Sequence, residues 1–444
     1  MDQMASKAHW RTFLCLFVQE HPDFRLKELC SLATLAKCEV LYNAAEYSNE
    51  NPYLVIQLPT ERDAQEITRR GILIRHVACQ CMNYLELMEP YTRTDYTFRL
   101  LATAFAKKCS VPRQKEIFNW LSFLPFNGSV DLKNPNHEFH VLEDYGNDAN
   151  LAPDQPLRVF FGRLIAHGQR RLVTQYAVRH RHFIANTSMD AQLSLIMANQ
   201  ALVTSGSLVY DPFVGSGSLL VAAAHFGGYV LGGDIDRVLI HGRGRTSKAG
   251  TGQKYRGKDE NIRTNLRLYG LGDHYLDVLV ADAASPVWRT PEMFDAIITD
   301  PPYGIREGAR KVVSSAKQVE EPTDTLELCD EEGGAGTSMQ HYQLSEVLSD
   351  LVSFAAKFLV VGGRLVYWLP FFRANSPDAC VSSHPCLRVV SISEQPLQRL
   401  VARNLITMEK HMPWSPNHVC SKENSSDFAD QDKFRHQYFN ERKC

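Results

Sequence analysis

Between residues 1 and 90 the apolar positions change period repeatedly, and each change marks an element. Thr12 to Val18 is a short apolar run suited to a strand. Leu26, Leu29, Leu32 and Leu35 then recur at three-residue spacing, which predicts a helix over Phe24 to Lys37. Strands are expected at Glu39 to Asn43, Tyr53 to Leu58 and Ile72 to Met82, with a helix from Thr60 to Arg70 capped by Thr60. The order β-α-β-β-α-β is ferredoxin-like. That arrangement serves many functions and assigns none.

Residues 91 to 184 mix β-rich runs, at Tyr96 to Lys107 and Arg158 to Ala166, with polar loops. From residue 185 apolar strands alternate with helical stretches, the mark of an α/β domain with a doubly wound sheet. Ser207 to Asp211, Gly228 to Asp234, Asp277 to Ala283 and Ala296 to Thr299 are its first strands. Helical spacing returns at Gln343 to Leu359, and strands at Arg364 to Leu369, Arg388 to Ser393 and Ala402 to Lys410 complete a domain spanning 185 to 412. Inside it, residues 313 to 336 are polar and acidic and are expected to be disordered. The tail from 413 to 444 is expected to be flexible.

Several of these strands end in acids, and open α/β sheets bind ligands outside the carboxyl ends of their strands. After Asp211 comes Pro-Phe-Val-Gly215-Ser-Gly217-Ser, a turn opening a helix. Gly215 and Gly217 permit positive φ and close approach, while helix N–H groups face whatever sits there. Asp234 follows Asp211 by 23 residues (234 − 211) and is placed for both hydroxyls of a ribose. The spacing is not G-x-G-x-x-G, which argues for a nucleoside cofactor without a diphosphate. Asp282, with Ala283 beside it, is placed for an adenine amine.

The fourth end, Asp300-Pro301-Pro302-Tyr303, suits a flat base carrying an exocyclic amine. Such an amine shares its lone pair with the ring and is a poor nucleophile until its N–H bonds are directed at acceptors. Asp300 and a carbonyl beside Pro301 would be those acceptors. Neither proline donates an N–H, and each fixes φ near its ring value. Tyr303 offers a stacking face. Adenine N6 and guanine N2 both meet this description.

Overall charge is nearly balanced, with 48 basic and 50 acidic residues, but it is segregated. Six arginines and no acid lie between Arg158 and His182, among them Arg170, Arg171, Arg179 and Arg181, a local polyanion site. Gly242 to Gly252 is glycine-rich and basic, suited to a phosphate-contacting loop. The eleven cysteines form no C-x-x-C pair, and no metal is expected. No apolar run approaches a membrane span, so a cytoplasmic protein with reduced thiols is expected.

Three stretches carry a resemblance to a known family: Thr187 to Leu202 (TSMDAQLSLIMANQAL), Asp211 to Gly227, and Asp295 to Gly308. With Leu124 to Gly146 they resemble the tRNA guanosine-N2 methyltransferases acting at position 10, class I enzymes with an N-terminal THUMP region. The resemblance implies S-adenosyl-L-methionine as cofactor, with Thr187 and Ser188 among its contacts. It implies tRNA as substrate, gripped through the THUMP-like segment at 91 to 184. It also implies a small zinc-binding activator subunit that docks on the catalytic sheet by strand addition.

Overall fold

In the computed structural model, strand pairing separates two large sheets, one in each of two units, residues 1–174 and 175–444. The described residues are 10–80, 91–244, 255–303, 310–314, 337–373 and 381–418.

The first unit follows the expected element order. Its strands are β1 (Arg11–Phe17), β2 (Leu41–Tyr42), β3 (Tyr53–Leu58), β4 (Ile74–Gln80), β5 (Thr97–Phe105), β6 (Ser129–Val130), β7 (His137–Asp144) and β8 (Arg158–His167). Helices Arg25–Ala36 and Glu61–Thr68 bury Leu29, Leu32 and Ile67 against Phe13, Ile56 and Ile74 of the strands. Thr60 caps the second helix, its side chain accepting from the Asp63 N–H at 3.1 Å. The boundary expected at residue 90 does not interrupt the sheet. β4 pairs antiparallel with β8, His76 opposite His167, so one eight-stranded sheet runs β2-β3-β1-β4-β8-β7-β5-β6.

In the second unit β9 (Leu208–Asp211), β10 (Tyr229–Asp234), β11 (Tyr275–Val280), β12 (Phe294–Thr299) and β15 (Leu359–Phe372) are parallel neighbours. β17 (Val401–Lys410) lies antiparallel between β15 and β16 (Leu387–Pro396). The resulting order, β11-β10-β9-β12-β15-β17-β16, reverses direction between β9 and β12, as in a doubly wound sheet. Helix Leu344–Phe358 packs Leu348, Leu351, Ala355 and Phe358 into a core with Ile297, Leu365 and Ile406. Burial of these strands explains their near-continuous apolar runs.

Three expectations shift. The division falls at 174/175 rather than 184/185, because Tyr176 and Phe183 are tied into the second unit. The Tyr176 hydroxyl bonds His225 Nδ1 at 2.8 Å, and the Phe183 N–H donates to Asn265 at 3.0 Å. Val313 and Ser314, the first residues of the segment expected to be disordered, lie in β13 (Arg310–Ser314), which pairs with β14 (Thr337–His341). The rest of that segment, 315–336, lies outside the described residues, as does 245–254 of the basic loop. The tail expected from 413 is anchored at its start. Trp414 packs against the core, and His418 Nδ1 lies 3.2 Å from the Cys386 thiol, while 419–444 is outside the described residues.

Gly217 begins the helix Ser218–His225 with φ +75°, and a Cβ there would meet Ile262 Cγ2 at 2.7 Å. Gly217→Ala should therefore cost roughly 1–3 kcal/mol of stability, read as a lowered melting temperature of the full chain.

Candidate active site

Parallel register brings the ends of β9, β10, β11 and β12 to one edge of the second sheet, and a cleft of 880 Å³ opens there. Of the residues singled out by sequence, Thr187, Ser188, Asp211, Gly215, Asp234, Asp282, Ala283, Asp300, Pro301, Pro302 and Tyr303 all line it. Gly217 does not. Its missing side chain makes room for Ile262, so it shapes the turn from behind.

Each acid is held by hydrogen bonds where its strand ends, several of them from a neighbouring strand or turn. Asp211 is buried, and its Oδ1 accepts from the Thr299 hydroxyl at 2.6 Å and the Phe213 N–H at 3.1 Å. Burial pushes its carboxyl up to about 7, against those hydrogen bonds. Asp234 accepts from the Gly215 N–H at 3.0 Å through Oδ2 and from the Asp236 N–H at 2.9 Å through Oδ1. It is held above the usual carboxylate range, chiefly by burial. A carboxylate has about four acceptor positions, so these bonds do not exhaust it. Asp282 lies past the end of β11 and accepts from the Ala284 N–H at 2.9 Å.

Asp300 follows β12 directly. The Tyr303 hydroxyl donates to its Oδ1, and Arg403 Nη1 lies 3.4 Å from its Oδ2. Tyr303 is thus a partner of Asp300 as well as an aromatic wall of the cleft. Thr187 and Ser188 are not the N-cap of the next helix. Asp190 is, accepting from the Gln192 and Leu193 N–H groups at 2.8 and 3.3 Å. Ser188 instead meets Ser216 hydroxyl to hydroxyl at 2.7 Å.

Met189, Asp190, Asp236, Tyr342, Leu397 and Arg403 line the cleft without having been anticipated. Arg403 had a signal: it is a charged residue in a run that also carries Val401, Ala402, Leu405, Ile406 and Met408, a position that requires a partner.

Among the arginines proposed for a polyanion, Arg181 must be removed. Its side chain is buried, with Nη1 donating to Ser218 at 2.7 Å and Nη2 to the Tyr176 carbonyl at 3.1 Å, which leaves it unable to reach a phosphate. Arg171 and Arg179 are exposed, and Arg170 pairs with Glu20. Among the described residues no cluster of three His, Cys, Asp or Glu is arranged to hold a metal, and no helix is long and apolar enough to cross a membrane.

Two family models match the chain: the Tmrp11 THUMP N-terminal domain over residues 11–170 and the RMKL-like methyltransferase domain over 179–318. The tRNA (guanine(10)-N(2))-methyltransferase of Rattus norvegicus is 45% identical over 421 residues, covering 92% of this chain and 89% of the relative. That of Xenopus laevis is 44% identical over 418 residues, covering 91% and 85%. The chain belongs to this family. The family members span both units, so the THUMP unit and the sheet with the acidic cleft form one inherited pair. Among solved structures, TrmN from Thermus thermophilus aligns with 18% identity over 90% of this chain and 99% of its own, at a TM-score of 0.42.

The buried Asp211 makes stability depend on pH. In the unfolded chain its carboxyl ionises near ~3.9, whereas the folded carboxyl keeps its proton up to about 7. Between those values the folded state carries the extra proton, so stability falls as pH rises and levels off above 7. Asp211→Asn still accepts from Thr299 and Phe213. It should melt near the wild type at pH 4 and above it at pH 8; equal melting shifts at both values would contradict this placement.

Proposed function

We propose that this chain transfers a methyl group from S-adenosyl-L-methionine to the exocyclic N2 of a tRNA guanosine, at position 10 as in its relatives. The observation that carries the reading is the sharing of one cleft by Asp211, Asp234 and Asp282 with Asp300-Pro301-Pro302-Tyr303.

The donor set fits the cofactor. Asp234 keeps acceptor positions for ribose hydroxyls, and Asp282 lies on the far side for the adenine amine. Asp190 lines the same cleft, and a cation there would favour ionisation of Asp211, which suits a ligand bearing a sulfonium and an ammonium. The cofactor supplies an activated methyl group with a neutral leaving sulfur. The chain does the rest by placement. Asp300 and the carbonyls beside Pro301 take the amine N–H bonds, which turns the nitrogen lone pair away from ring conjugation. Tyr303 and Pro302 confine the base, in-line alignment replaces any need for a protein nucleophile, and Asp300 takes the proton that N2 loses once the methyl is transferred.

Arg170, Arg171 and Arg179 are proposed to contact tRNA phosphates, with the THUMP unit as a second grip on the same RNA. The partner is proposed to be a small zinc-binding activator subunit adding a strand to the catalytic sheet. β11 and β16 are its two edges, and β16 exposes Val389 and Val390. The proposed compartment is the cytoplasm.

Two substitutions separate the roles. Asp300→Ala should abolish methyl transfer while leaving cofactor affinity within a few fold. Asp234→Ala should weaken cofactor binding by roughly 1.5–3 kcal/mol, the scale of charged hydrogen bonds. Calorimetry reads the second effect, and mass analysis of nucleosides from unmodified tRNA reads the first. Normal turnover by Asp300→Ala would end this reading. For the RNA, replacing Arg170 and Arg171 together by Ala should lower the slope of log affinity against log salt by about 0.7–0.9 per lost phosphate contact. An unchanged slope would assign both arginines to structure.

A further inference from the structure

The methyl transfer outlined above gives no task to Arg403, yet the fold holds this residue from four sides. Its side chain is 12% exposed. The pairing of β16 with β17 sets it opposite Gln395, whose Oε1 accepts from Nε at 2.7 Å. Trp368 of β15 lies beneath the guanidinium, with Cζ 3.9 Å from the ring centroid. Nη1 reaches Asp300 Oδ2 at 3.4 Å, and Nη2 reaches the sulfur of Met189 at 3.8 Å. Thioether sulfur is a weak acceptor, so this donor gives up little when something better arrives. Arg403 therefore presents a fixed planar edge of N–H donors beside the carboxylate proposed to take the target amine, on the wall of the same cleft.

We propose that Arg403 reads the ring acceptor next to that amine, which in guanine is N3. The inference rests on the guanosine reading given above. The carbon bearing N2 has two ring neighbours: N1, which carries a hydrogen, and N3, which carries a lone pair. With an N2–H on Asp300, a guanidinium beside the same carboxylate can face only N3. The opposite orientation would set N1–H against N–H and leave two donors desolvated and unpaired. Asp300 and Arg403 together thus present an acceptor next to a donor, the complement of a donor next to an acceptor on the base. The pair orients the ring as well as holding the amine, and N1–H is turned toward the carbonyl side of Pro301. Gln395 and Trp368 act through Arg403 as positioning residues, because they fix its plane.

The test is a chemical double cycle on the full chain, with any activator it requires, using ligated tRNA that carries guanosine or 3-deazaguanosine at the target site. The analogue keeps N2 and N1–H and replaces N3 by a carbon. In the wild type kcat/KM should fall roughly ten- to hundredfold with the analogue, the scale of one charged hydrogen bond. Arg403→Lys and Arg403→Gln should both be slower on guanosine and should lose most of that contrast. Their affinity for S-adenosyl-L-methionine should stay within a few fold, which reports that the cleft is intact. No penalty in the wild type, or the same penalty in the wild type and both variants, overturns the proposal. Failure of the wild type to methylate ordinary guanosine would instead overturn the functional reading beneath it, so the two failures are distinguishable.

Discussion

The catalytic unit depends on keeping one buried and two half-buried carboxyl groups together at one edge of a parallel sheet. Asp211, Asp234 and Asp300 come from adjacent strand ends, and the negative charges of Asp234 and Asp300 help hold the Asp211 carboxyl above its ordinary range. Such a cluster survives only if each acid is bound locally. Asp211 is tied across the sheet to Thr299, at the end of β12, and Asp234 is tied to the Gly215 N–H in the turn after β9. These bonds link β9 to its two neighbours at the height where the cleft opens. They convert electrostatic strain into a rigid cup, and that cup favours a ligand carrying positive charge.

Much of this was legible in the chain because parallel strands buried on both faces read as short continuous apolar runs, and each run here ends in a residue that cannot continue it. Asp211, Asp234 and Asp300 announce the edge of the sheet, and Gly215 announces the turn between strand and helix. The first unit was legible for the opposite reason: its helix, with Leu26, Leu29 and Leu32 in register, and its strands have distinct periods. Less visible were properties set by long-range pairing. Nothing near residue 90 signals that β4 will pair with β8, some ninety residues later (167 − 76 = 91 for the facing pair), so a continuous sheet looked like two pieces. The anchor of the tail was hidden in the same way, since Trp414 and His418 sit in a polar stretch whose partners, Cys386 and the core, lie elsewhere in the chain.

Arginine was the residue type hardest to read. A run of arginines without acids suggests a phosphate surface, and for Arg171 and Arg179 exposure is consistent with that. Arg181, two residues further on, is instead folded inward onto Ser218 and a carbonyl. Arg25 does the same in the first unit, with three carbonyls, those of Val18, Asn49 and Asn51, within 3.3 Å of its guanidinium. The fork of five donors makes arginine the one cation that several neutral acceptors can hold in a dry site. Charge counting along the sequence records the cation but not where its donors find acceptors. In Arg403 that difference separates an apparent strand impurity from a wall of the cleft.

Asp300 is held by donors of its own fold, Tyr303 on one oxygen and Arg403 on the other. On the proposed reading, binding an amine there is an exchange of hydrogen bonds rather than the creation of new ones, and exchange yields little net affinity. A pocket built this way would hold a splayed base weakly and could not itself offset the cost of unstacking it, a few kcal/mol. What it gains is preorganisation. The carboxylate is already oriented when the amine arrives, and the energy of orienting it is spent in folding rather than at the transition state. Affinity for the RNA must then come from outside the cleft. That requirement gives a physical reason for a family in which the sheet carrying this cleft is inherited together with a THUMP unit.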